Sequence, residues 1–172
     1  MYFEKFPRIQ YTNTENGKPV TVINILKRVG VRDALKENAT LLEKYLIGSG
    51  ETPESVAYDV YGDAELHWVI LLVNDIFDRY HQWPMNVNQF QAFLGSKYDD
   101  SNGVHHYEIF QSSGNTTATI NIGSDNSDYP SAALVTNFEH EERLQDERRE
   151  ISILSGAFLT QFIKDYEALQ AN

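Results

Sequence analysis

The chain has 172 residues, enough to bury a core, and no cysteine, which excludes disulfides, thiolate metal cages and thiol nucleophiles. With 14 Lys and Arg against 25 Asp and Glu, its formal charge of -11 argues against nucleic acid and anionic membrane surfaces as partners. Aromatic side chains make up 12% of the residues and must fill a core or the pockets of a partner.

Met1 to Pro7 lacks the charged start and apolar run of a signal peptide. The longest apolar stretch, Trp68 to Val73, is far too short to span a bilayer. The first elements expected are strands at Arg8–Tyr11 and Val20–Ile25, with Asn16-Gly17 between them, and they read as an N-terminal hairpin. Leu26 to Thr40 has no clear period, and its Lys27, Arg28 and Arg32 read as a solvated connector.

Leu41 to Ile47 reads as a strand stopped by Gly48-Ser49-Gly50. Thr52 followed by Pro53 then opens a helix carrying Val56, Ala57, Val60 and Tyr61, and Gly62 ends it. Asp63 is expected to cap a second helix in which Leu66, Val69, Ile70 and Val73 face the first. Trp68, Leu71 and Leu72 continue its apolar surface around the other side, so this helix needs a second cover, for which another protein is a candidate. Asn74-Asp75 stops it, and Ile76 to Pro84 reads as an aromatic-rich irregular strand or loop.

Asn86 or Asn88 should cap a short helix through Leu94. Strands are expected at His105–Phe110 and Thr117–Ile122, a polar turn at Gly123–Ser131, and a short strand at Leu134–Thr136. Asn137 is expected to cap a charged helix from Phe138 to Glu150 with Glu139 and Arg143 as an i,i+4 pair. Ser155 opens a last helix whose Phe158, Leu159, Phe162, Ile163, Tyr166 and Leu169 form an apolar face that needs a groove, in this chain or in a neighbour. The fold class expected is α+β, divided as 1–44, 45–85 and 86–172.

Catalytic patterns do not emerge. His105 and His106 are adjacent in an expected strand, so their side chains should point to opposite faces and be unable to share an ion. His140 stands among charges on an expected helix and reads as part of a solvated face. Asp125 and Asp128 lack the glycine and closing Glu of a calcium loop, and Gly48 to Thr52 lacks the Lys of a phosphate loop. No nucleophile elbow and no acid pair in context for a lysozyme can be found, so the reading is a non-enzymatic protein without a cofactor. Trp68 and Trp83 could anchor an interface or stack on a sugar; the pattern leans to core for Trp68 and leaves both readings open for Trp83.

Tyr45, Gly50 to Ala57, Tyr61-Gly62-Asp63, Trp68, Ile70 and Asn74 together resemble the LysM pattern of strand, turn, two helices and closing strand. Glu51 stands where that pattern has Asp, and Asp78 to Met85 replaces its usual ending. The fuller string, with Trp68 to Asn74 and Trp83-Pro84, is similar to the LysM-like baseplate wedge proteins of contractile-tailed bacteriophages. The aromatic start around Phe3 to Tyr11 and the segment Asp146 to Leu154 fit the same family. What the resemblance implies is a central βααβ module at 45–85 in a virion subunit that joins neighbouring wedges into the baseplate ring. Its partners would be other wedge and ring proteins, not nucleic acid, membrane or a small molecule, with assembly in the host cytoplasm. The alternative is a peptidoglycan-binding LysM protein. The interface residues expected are Trp68, Leu71, Leu72, Tyr80, Trp83, Phe158, Phe162 and Tyr166.

Overall fold

A computed structural model describes residues 6–12, 17–27, 30–31, 40–113 and 116–171. Helices mix with small antiparallel sheets, so the fold is α+β. The chain divides into two compact units, one holding 1–47, 51–83 and 150–172, the other 48–50 and 84–149. The stretch 86–172, a single region on the sequence pattern, is therefore shared between them. Asn16 of the expected Asn16-Gly17 turn and most of the basic connector lie outside the described residues.

In the first unit, β1 (Arg8–Thr12) and β2 (Pro19–Ile23) form the expected antiparallel hairpin. After β3 (Leu42–Leu46), helix α1 (Pro53–Tyr61) starts where local chemistry demands. The Thr52 hydroxyl accepts from the Ser55 amide at 3.2 Å, and the Ser55 hydroxyl accepts from the Thr52 amide at 2.9 Å. These two bonds satisfy amides that the first turn leaves without partners. Gly62 closes the helix at φ 73°, a left-handed conformation that glycine adopts without strain. Removing the cap by Thr52→Ala is expected to cost about 1 kcal/mol in chemical denaturation. A change indistinguishable from zero would mean the hydroxyl is replaced by water without loss.

Asp63 caps a 3₁₀ turn at Ala64–Leu66 rather than the second helix itself, accepting from the Glu65 amide at 2.9 Å. Helix α2 (His67–Val73) follows directly. Its apolar residues divide between two clusters. Ile70 joins Ile47, Val56, Ala57, Trp83, Ile151 and Ile153, with Leu71 packed alongside. Val69 and Val73, expected to face α1, instead join Trp68, Leu154 and Tyr166, with Leu66 and Leu72 alongside. A short helix that is apolar all round must be covered on all sides, and here the chain supplies both covers.

Residues 76–84, read as an irregular strand or loop at the place where a βααβ module would close, form no strand. The Asp78 carboxylate accepts from the amides of Tyr80 at 3.0 Å and His81 at 3.3 Å, turning the chain into the one-turn helix α3 (Arg79–Gln82). The partner of β3 is β7 (Glu150–Leu154), antiparallel, with Leu42 opposite Leu154 and Tyr45 opposite Ile151. Between α2 and β7 the Asn74 side chain makes the tie. Its amide donates to the carbonyls of Ile70 at 2.8 Å and Ser152 at 2.7 Å, and its oxygen accepts from the Ser152 amide at 2.8 Å. Tyr61 accepts from the Leu154 amide at 3.1 Å, and burial pushes its phenol pKa up to about 12. Helix α6 (Gly156–Ala171) completes the unit.

In the second unit, Asn86 and Gln89 form a reciprocal cap on α4 (Val87–Lys97). Strands β4 (Val104–Ser113), β5 (Thr116–Gly123) and β6 (Ala133–Thr136) form an antiparallel sheet in the order β5-β4-β6. Helix α5 (Asn137–Arg149) follows β6 without a break. Its start is capped by Thr136 and not by Asn137. The Thr136 hydroxyl accepts from the Glu139 amide at 3.1 Å, and the Glu139 carboxylate accepts from the Thr136 amide at 2.9 Å. Asn137 instead donates to the Asp100 carbonyl at 2.9 Å. Phe90 meets Phe138 edge to face at 5.7 Å. Glu141, almost fully buried, accepts from Lys97 at 2.6 Å and from the Tyr98 hydroxyl at 2.7 Å. Burial pushes the Glu141 pKa up, but those two donors outweigh it and hold the group below the ordinary range.

Candidate protein interfaces

Three of the expected interface residues hold this chain together instead. Trp68 is 7% exposed, with its ring centroid 4.6 Å from Tyr166 and 6.4 Å from Phe162. The second cover of α2 is thus the apolar face of α6, and each element supplies the groove the other requires. Trp83 is equally buried in the first cluster, with its indole N–H donating to the Glu51 carbonyl at 2.8 Å. So placed, Trp68, Trp83 and Tyr166 have little surface to give a partner, and neither tryptophan presents a face to a sugar. Leu71 and Leu72 are half-buried against the two clusters.

Tyr80 and Phe158 do reach the surface. Tyr80 is 82% exposed. It lies on the same short segment as exposed Phe77, and the neighbouring Arg79 forms an ion pair with Glu54 on α1. Exposed Tyr58 stands one helical turn beyond Glu54 and so lies on the same face of α1. Arg79 and Glu54 thereby hold two aromatic-bearing elements together. Phe158 and Phe162 line a cavity of about 190 Å³ with Leu41, Leu42, Val73 and Leu154.

The structure shows two further surfaces that the sequence pattern did not single out. Along the β1–β2 ribbon, Ile9 pairs with Val22 and Tyr11 with Val20, which puts four apolar side chains on one face. Gln10 and Thr21 hydrogen-bond on the opposite face at 3.1 Å. Every position of the two strands is exposed except Val22, which is half-buried, and Tyr11 is 56% exposed. A two-stranded ribbon is marginal in water on its own, so an apolar face left open is a feature to explain. The signal was present as alternation in Arg8–Tyr11 and as β-branched residues in Val20–Ile25, but neither says whether the chain covers that face.

The second surface is the β4–β5 arm. The β6 ladder ends at the pair Glu108–Ala133, whereas β4 and β5 remain paired out to Ser113 and Thr116. Beyond Glu108 the arm is therefore two strands wide. Phe110, 67% exposed, and Ile120 lie on it.

One polar cluster stands where none was expected. The ladder between β4 and β6 shifts register between Val104 and His106. A bulge breaks the alternation of side chains, so His105 and His106 do not point apart. Their Nδ1 atoms lie 2.7 Å from one another. From the first turn of α5, the His140 ring stacks on His105 at 3.8 Å between centroids. Burial, followed by the nearby His140 and His106, lowers the pKa of His105 and favours its neutral form. Glu108 stands 2.9 Å from His106 Nε2, and Arg143 donates to both Glu108 oxygens at 2.8 and 2.9 Å. Arg143 thus pairs with Glu108 and not with Glu139, and chiefly through that bond the Glu108 pKa is lowered below the carboxylate range.

Among the described residues no helix is long and apolar enough to cross a membrane. Residues 1–169 match the model of the family described as base plate wedge protein 53. The chain is also similar to baseplate wedge protein gp53 of Enterobacteria phage T4, with 23% identity over 185 residues that cover 96% of this chain and 93% of that protein.

Proposed function

This chain belongs to the base plate wedge protein 53 family, and on that premise we propose that it is a structural subunit joining neighbouring wedges into the baseplate ring of a contractile phage tail. The partners in this reading are other wedge and ring proteins of the same virion, met during assembly in the host cytoplasm. The module β3-α1-α2-β7 is read as a LysM-like scaffold that presents docking elements rather than as a glycan site. The observation that carries the reading is the open apolar face of the β1–β2 ribbon, with Ile9, Tyr11 and Val20 exposed in register. Such a face is stabilised when a partner covers it, and aromatic residues are favoured at the centre of interfaces. The β4–β5 arm with Phe110 and the segment carrying Phe77 and Tyr80 are secondary contacts in the same reading, as is Phe158.

Mixing the purified chain with the wedge proteins of its own virion tests this directly by sedimentation or light scattering. The native chain is expected to co-assemble, and Tyr11→Lys with Val20→Glu, opposite charges on facing positions of the ribbon, to weaken assembly by about tenfold or more, because a charge on a desolvated face costs about 1–2 kcal/mol. Both positions are exposed, so the far-UV spectrum should not change. Failure of the native chain to co-assemble would count against the wedge role itself. Equal assembly by the double variant would remove the ribbon from the interface. Retention of the native chain on insoluble peptidoglycan would favour a glycan-binding module instead.

A further inference from the structure

We propose that His105, His106 and His140 bind a divalent transition-metal ion, with zinc as the best match, and that Glu108 and Arg143 orient His106 for that purpose. One ligand nitrogen from each of the three rings lies within 4.8 Å of the others. His106 is almost fully buried, and His105 and His140 are half-buried, so the cluster has a protein side and a solvent side.

The protonation pattern follows from the neighbours. Arg143 donates to both Glu108 oxygens, and Glu108 in turn faces His106 Nε2 at 2.9 Å, so the carboxylate accepts there and His106 Nε2 carries the proton. In the neutral ring the lone pair then falls on Nδ1, which faces His105 Nδ1. A carboxylate behind an imidazole is the arrangement that fixes tautomer and ring direction in histidine ligands to metals. In the absence of an ion, two ring nitrogens at 2.7 Å must share a proton. An ion in its place would sit about 2.0–2.1 Å from each nitrogen, and tetrahedral angles would open their separation to about 3.3 Å. The stack of His140 on His105, with ring planes 12° apart, has to open so that both lone pairs converge on the ion, and the half-buried position of these two rings leaves room for that swing. Three imidazoles without thiolate or additional carboxylate suit zinc, copper or nickel over magnesium or calcium. A fourth position remains for water. The ion would tie the bulge of β4 to the first turn of α5.

Among the other described histidines, His67 donates through Nδ1 to the Ala64 carbonyl, and His81 lies beside Asp78 at the surface. They serve as controls. Equilibrium dialysis of the full-length chain against zinc should give about one ion per chain. His105→Ala and His140→Ala are each expected to weaken binding at least tenfold, His67→Ala and His81→Ala to leave it unchanged, and Glu108→Gln to weaken it by about tenfold. Absence of binding by the native chain overturns the proposal, and so does binding that survives both the His105 and His140 substitutions. Should either variant fold poorly, cobalt loaded into the native chain decides: an intense visible spectrum of tetrahedral coordination supports the site, and a weak octahedral spectrum overturns it. The proposal is independent of the wedge reading, since it concerns only residues of the second unit.

Discussion

Trp68→Ala is expected to lower the stability of the first unit by about 3–5 kcal/mol, a large share of the total stability of a domain of this size. The ring is buried between α2 and α6 and touches two aromatic partners, Tyr166 at 4.6 Å and Phe162 at 6.4 Å. Its removal takes away apolar contact on both helices and leaves a void that close-packed neighbours fill only in part. Helix α6 suffers most, because Tyr166 and the half-buried Leu159, Phe162 and Ile163 all pack into the cluster that Trp68 anchors. Hydrogen exchange along 156–171 should accelerate more than exchange in α1, whose core residues Val56 and Ala57 belong to the other cluster. Tyr80→Ala is the contrasting case, since a side chain 82% exposed should change stability by no more than about 0.5 kcal/mol. If Trp68→Ala also cost under 1 kcal/mol, Trp68 would be a surface anchor after all, and the packing of α6 on α2 would be wrong.

That contrast reassigns the apolar surplus of α2. On sequence, a helix apolar on all sides looks like a surface in search of another protein. With α6 in place, the same residues are internal, and the surfaces left for a partner move outward to the ribbon, the β4–β5 arm and the segment around Tyr80.

What could be read in advance was local. The Thr52 cap with Pro53, the Gly62 stop and the Asn86 cap each depend on residues within a few positions, and each stands where its residues predict. The strands of both hairpins were likewise legible from alternation in Arg8–Tyr11 and from β-branched and aromatic residues in the others. The pairing of β3 with β7 could not be read this way, because Leu42 and Leu154 carry no mark that specifies one another across so long a separation. Aromatic, apolar Ile76 to Trp83 offered a nearer candidate, but the Asp78 side chain caps a single turn there and Gln82 accepts from the amides of Phe77 and Asp78, which removes the segment from the sheet. The cap of α5 was missed by one residue because Asn137 and Thr136 are both good caps, and the reciprocal bond from Glu139 decides between them. The histidine cluster was concealed by the rule of alternation itself. A bulge suspends that rule, and nothing in Val104-His105-His106 announces one.

Asn74→Ala is expected to cost about 2–4 kcal/mol, more than a helix cap, because one small side chain answers both backbone polar groups of Ser152 and adds a second bond to the Ile70 carbonyl, which already accepts from the Asn74 backbone amide. Its amide answers the carbonyls of Ile70 and Ser152, and its oxygen answers the Ser152 amide, all at 2.7–2.8 Å. Ser152 lies in the middle of β7, between Ile151 and Ile153, whose side chains point into the first cluster. Asn74 therefore hydrogen-bonds to both polar groups of Ser152, as a neighbouring strand would, and docks β7 against the end of α2. Substitution by Ala leaves those partly buried groups with at best a water to replace two opposed bonds. Asn74→Leu separates this account from one based on volume, for it restores bulk without restoring a donor or an acceptor. Both variants should lose comparable stability in denaturant titrations and show faster exchange at the Ser152 amide. A Leu variant as stable as the native chain would show that space-filling, not hydrogen bonding, holds β7 to α2, and that the strand pairing with β3 alone fixes its position.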